Sequence, residues 1–130
     1  MCFAIHPEYQ EKLIAKKDIV CYKVLDKIES RYFGPYQGTE YRFGRVRKSV
    51  IGEVDEWKTH KQVGKGLHSY MTLKKAKYRH NDISYVCDGI AVLFECVIPK
   101  GSEYYKNPDG AKMEYISNQL IIVKRLSRYE

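Results

Sequence analysis

A chain of 130 residues, 44% hydrophobic and 30% charged, can bury one core unaided and is too apolar to stay disordered. Its net charge of +7 is concentrated: residues 42–79 hold eleven Lys or Arg against Glu53, Asp55 and Glu56, while the remainder has 12 basic and 13 acidic residues. No apolar run approaches the roughly 18 residues of a membrane helix, nor do the first residues resemble a secretory leader. The expectation is therefore one soluble, cytoplasmic domain over residues 1–130 with no membrane partner.

In chain order, His6-Pro7-Glu8 predicts a helix reaching about residue 16, with proline in the first turn and Glu8 four before Lys12. Residues 19–25 alternate Ile19, Cys21, Lys23 and Leu25 against Val20, Tyr22 and Val24, a first strand whose odd polar member is Lys23. Gly34-Pro35-Tyr36-Gln37-Gly38 forms a turn-rich loop flanked by Tyr32, Phe33, Tyr41 and Phe43. Aromatics beside arginines can stack on bases, although in a chain with 12 tyrosines simple packing is the plainer use. A short strand follows within residues 45–54, then a polar loop over 55–66 with Trp57 and Gly64-Lys65-Gly66.

That glycine-flanked lysine suits an anion, because backbone amides can approach and Lys65 adds charge, yet the GxxxxGK[ST] phosphate loop is absent. Residues 67–71 read as a strand, and Thr72 caps a helix to residue 79 or 80. Leu73 and Ala76 should face inward, Lys74, Lys75 and Lys77 toward water, and the basic end should suit the helix dipole. Residues 83–87 and 90–98 are expected to pair through Asp88-Gly89. The second of these is apolar on both faces and so central, with turns at Pro99-Lys100-Gly101-Ser102 and Asn107-Pro108-Asp109-Gly110 before a strand over 119–123. The predicted fold is α+β: a mostly antiparallel, twisted sheet with one or two short helices.

Cys2, Cys21, Cys87 and Cys96 lack CxxC spacing and are expected as free thiols. His6, His60, His68 and His80 match no ligand spacing, so no metal and no cofactor is expected. Glu95 interrupts an apolar strand and Glu114 stands near another, which makes them candidates for proton transfer, though a lone glutamate on an open sheet face is usually solvated.

The order of first strand, Gly66-Leu67-His68-Ser69-Tyr70-Met71-Thr72, Ile98-Pro99-Lys100-Gly101-Ser102 and Asn118-Gln119-Leu120-Ile121-Ile122 resembles the short members of the ADP-ribosyltransferase superfamily in layout. The resemblance implies a dinucleotide-binding position at Tyr22 or Lys23, a second site residue at Ser69 and a third at Gln119. Glutamine in place of the family's glutamate implies lost activity, since an amide cannot supply the negative charge that stabilises an oxocarbenium-like centre. His68 beside Ser69 suggests the RNA 2′-phosphotransferase relatives as a variant. The blocks at 34–38, 66–70 and 98–102 are also similar to those of small uncharacterised proteins of bacteriophages and their hosts, a setting in which a host-defence inhibitor would fit.

The sequence thus predicts a non-catalytic binding protein that offers Arg45, Arg47, Lys65, Lys74 and Lys77 to an anionic partner: nucleic acid, nucleotide or an acidic protein surface. An active or degenerate transferase using Lys23, His68, Ser69 and Gln119 is the second reading, and a structural or virion accessory protein the third.

Overall fold

The computed structural model describes residues 3–36, 38–56 and 60–126; Cys2, Gln37 and Trp57 lie outside them. In chain order the elements are β1 (Phe3–Ala4), β2 (Leu13–Ile14), β3 (Ile19–Ile28), β4 (Arg31–Phe33), β5 (Glu40–Tyr41), β6 (Val46–Lys48) and β7 (Val54–Glu56). Then come β8 (Lys61–Val63), β9 (Leu67–Tyr70), α1 (Leu73–Ser84), β10 (Ile90–Ile98), β11 (Glu103–Asn107), β12 (Glu114–Ser117) and β13 (Gln119–Arg125).

The spine is the antiparallel pair β3–β10, in register from Ile19 opposite Ile98 to Lys27 opposite Ile90. Around it the larger sheet runs β2-β11-β12-β9-β3-β10-β13-β6, with β4 and β5 attached to β3, and β1-β8-β7 form a second small sheet. Alternation divides the spine between two cores, because successive side chains point to opposite faces. Cys21 and Leu25 of β3 join Val92, Phe94, Cys96 and Ile98 of β10 in one core, closed by Tyr41, Leu67, Leu120 and Ile122. Val24, Ala91 and Leu93 face the other way, against Ala76 and Ile83 of α1. Phe3, Ile5 and Val63 of the small sheet cover Tyr105 and Ile116 in a third cluster.

Two bends let the large sheet curl around its inner core. The turn between β10 and β11 is fixed by Ala15, whose N–H donates to Ser102 O at 2.8 Å and whose carbonyl accepts from Gly101 N–H at 2.8 Å. Between β12 and β13, Asn118 Oδ1 accepts from Glu103 N–H at 2.8 Å, and Asn118 N–H donates back to Glu103 O at 3.0 Å.

The result is a single small domain of mostly antiparallel sheet with one helix, richer in sheet than expected. The helix predicted from His6 to residue 16 is absent: the chain turns at Pro7 and supplies only β2, because pairing of Leu13 and Ile14 with β11 outweighs local helix signals. Residues 83–87 are not a strand. Ile83 ends the stripe Leu73, Ala76, His80, Ile83 of α1, at helical spacing, so no hairpin forms at Asp88-Gly89. Those two residues are instead held by Asp26, whose carboxylate accepts both backbone N–H groups at 2.9 Å. The helix dipole expectation also fails: the last turn has no basic residue, while Lys74 and Lys75 fall in the first turn, where their charge opposes the dipole. Thr72 does cap the helix, accepting from Lys75 N–H at 3.1 Å.

Candidate functional site

The sheet has a gap beside Lys23. β9 meets β3 only at Tyr22 opposite Tyr70, and the same edge of β3 is next taken by β4 from Asp26 onward. Where the ladder lapses, the Lys23 ammonium donates to His68 O, standing in for a missing strand partner. It also lies 5.4 Å from the centroid of the Tyr41 ring. A narrow cleft opens here, lined by Lys23, Gly34, Pro35, Tyr36, Thr39, Tyr41, Gly66 and His68. The separate sequence blocks at 34–38 and 66–70 therefore meet over one side chain, a juxtaposition that only the topology creates.

Burial lowers the Lys23 pKa to about 8, so the side chain remains mainly cationic at neutral pH. Burial, and then the charge of Lys23, lowers the His68 pKa to about 3, which keeps that imidazole neutral. Both His68 ring nitrogens are buried without a hydrogen-bond partner. Ser69, on the other face of β9, is buried beside the Cys21 thiol. Arg79 of α1 lies near Tyr36 and Tyr70, with Asp82 4.0 Å from its guanidinium. Glu114 lies opposite Tyr70, and burial pushes its pKa up, toward the neutral acid.

Lys23 and His68 thus share the cleft, Ser69 is adjacent on the inner face, and Gln119 is elsewhere. Across β10, Ile121 is opposite Val97 and Lys23 opposite Phe94, so Gln119 falls level with Pro99. Five residues of strand put it about 16 Å from Lys23 along the sheet. Glu95 lies between Tyr22 and Lys124, away from this group.

The basic residues separate into two places. Arg45 and Arg47 join Arg42, Val46 and Glu40 around a groove at β5 and the edge strand β6. Glu40 is already committed, accepting two bonds from Arg31 at 2.9 and 2.8 Å that hold its carboxyl below the usual range. Arg42, Arg45 and Arg47 make no ion pair among the described residues. Phe43, 54% exposed, stands beside them. Lys74 and Lys77 lie on α1, which packs on β3, β9 and β10. Lys65 is exposed, but Gly66 next to it has a packing reason: at φ +147° a Cβ would come within 2.5 Å of Ile116.

No family model matches the chain, and neither the curated proteins nor the solved structures provide a match. Among the described residues no three His, Cys, Asp or Glu side chains converge to hold a metal ion. Among the described residues no helix is long and apolar enough to cross a membrane.

Sequence reasoning missed Arg42 as a partner of Arg45 and Arg47, and missed Tyr36 and Tyr41 as neighbours of Lys23. The spacing 42, 45, 47 was a readable signal for the first. For the second there was none, since the loop before β5 and β5 itself supply those residues and only the topology brings them to β3.

Proposed function

We propose that this protein binds an anionic partner, specifically single-stranded nucleic acid, through the surface of Arg42, Phe43, Arg45 and Arg47, and does so without catalysis. One observation carries the reading: three arginines that make no ion pair among the described residues line one groove, whose lone carboxylate, Glu40, is engaged by Arg31, beside a half-exposed phenylalanine ring. Guanidinium groups match phosphate oxygens in planar, two-pronged geometry, and an exposed ring offers a base a face on which to stack. A duplex presents its bases edge-on, so the exposed Phe43 ring favours an unpaired strand. A transferase-like reaction is not put forward, because the strand register sets Gln119 five residues along the sheet from Lys23.

Fluorescence anisotropy of a labelled single-stranded oligonucleotide, repeated across a salt series, tests the proposal. Log affinity should fall linearly with log salt by about 0.7 per phosphate neutralised, giving a slope near −2 or steeper if all three arginines engage. Absence of binding at low salt would overturn the proposal. Tighter binding to duplex than to single strand would overturn the role given to Phe43.

A further inference from the structure

We propose that the cleft over Lys23 is a second site, one that receives a small oxyanion group, a carboxylate or a terminal phosphate, as the counter-charge Lys23 lacks. It rests on different residues from the arginine surface, for no residue lining this cleft lines the groove of Arg42, Arg45 and Arg47.

Lys23 is 8% exposed and makes no ion pair among the described residues. A buried ammonium without an anion is costly, and the contacts it does have meet only part of the need. The His68 carbonyl takes one of its three protons, and the Tyr41 ring at 5.4 Å offers a weak attraction. Glu114 is the nearby acid whose charge Lys23 feels, but it lies beyond ion-pair distance and is itself driven toward neutrality by burial.

What surrounds the ammonium suits an incoming oxyanion. Tyr36 and Thr39, which carry hydroxyls, line the cleft, as does His68, whose ring lies 6.4 Å from Phe3 and whose buried nitrogens have no hydrogen-bond partner among the described residues. A metal ion would be repelled by the ammonium, and an apolar ligand would leave it unanswered. The space in the cleft is about 30 Å³, room for a group the size of one or two waters, so it admits the head of a small molecule and not its body. Its outer wall is a closed loop, with Gly34 N–H donating to Thr39 O at 2.7 Å and Gly38 N–H to Gly34 O at 3.0 Å.

The test measures thermal stability while inorganic phosphate, and separately acetate, is titrated against sodium chloride of equal ionic strength. The starting protein carries Arg42→Ala, Arg45→Ala and Arg47→Ala together, so the arginine surface cannot respond. Phosphate also stabilises folded proteins in general by exclusion from their surface, without saturating. The expected result is therefore a saturable rise in Tm with at least one anion, abolished by Lys23→Met and shifted several-fold to higher concentration by Tyr36→Phe. Response to phosphate alone identifies a phosphate monoester as the ligand class, and response to acetate alone a carboxylate. No saturable rise with either anion, or an equal rise after Lys23→Met, would overturn the proposal. Should Lys23→Met fail to fold, Tyr36→Phe and Thr39→Val decide instead, and unchanged midpoints in both would reject the site. Loss of oligonucleotide binding is read separately, so either proposal can fail alone.

Discussion

Replacing Lys23 by methionine measures what the buried, unpaired ammonium costs the fold. Its pKa is lowered from 10.5 to about 8 by burial, a difference worth about 3 kcal/mol. Below pH 8 both folded and unfolded chains carry the proton, and the folded protein bears the full penalty. Between pH 8 and 10.5 the unfolded chain holds a proton the folded one has released, so this residue's contribution makes stability rise with pH until the penalty is gone. Methionine removes the penalty at every pH but leaves His68 O without its donor, at a cost of about 1–3 kcal/mol. The two effects nearly cancel at pH 7. At pH 10.5 only the loss remains, so the variant should fall behind the parent by about 3 kcal/mol more than at neutral pH. Burial also raises the pKa of Tyr41, and that of Cys21 to about 12, which lowers the stability of both proteins above about pH 9 and largely drops out of the difference. Urea unfolding at pH 7, 8, 9 and 10 supplies the curve. A difference that stays flat with pH would refute the reasoning, because it would mean that Lys23 titrates as a solvated lysine.

Phe94 is fully buried between the Tyr32 and Phe43 rings, so Phe94→Ala should cost about 3–5 kcal/mol in urea unfolding, and a loss below about 1 kcal/mol would remove it from the core. Asp26→Ala strips two charge-assisted acceptors from the link between α1 and β10; it should cost about 2–3 kcal/mol and speed amide exchange at Asp88 and Gly89. Of Cys21, Cys87 and Cys96, only Cys87 is partly exposed, whereas burial pushes Cys21 up to about 12 and raises Cys96 well above the ordinary thiol range. Under native conditions an alkylating reagent should label Cys87 first, and mass spectrometry finding Cys21 or Cys96 labelled earlier would contradict the core assignment.

The strands legible in the sequence are those whose pattern is self-sufficient. β10 is apolar on both faces, and β3 alternates cleanly around Lys23, so both could be read locally and the second already marked the residue that matters. Residues 6–16 show the limit: Pro7 and the Glu8–Lys12 spacing speak for a helix, but Ala15 makes its hydrogen bonds with the distant 101–102 turn, which no local pattern reveals. Ile83 was ambiguous for a related reason, since it fits an apolar strand and also closes the helical stripe from Leu73. The four residues of β12 are too few to show a period. As for the site, Lys23, His68 and Ser69 lie close together because β9 runs beside β3, while Gln119 is carried off by the register of β13 on β10. The clustered charge of the sequence is divided between elements: Arg45 and Arg47 lie at the edge strand β6, while Lys74 and Lys77 lie on α1, which packs on β3, β9 and β10.

The most direct test of the proposed function compares two variants that each lose three positive charges: Arg42→Ala, Arg45→Ala and Arg47→Ala in one, Lys74→Ala, Lys75→Ala and Lys77→Ala in the other. Binding of the single-stranded oligonucleotide is measured for both across the same salt series. The arginine variant should lose most of its affinity and have a salt slope shallower by about 2, with the lysine variant close to the parent. Equal losses in the two variants would show that net charge alone attracts the strand, contradicting a defined site on β5 and β6.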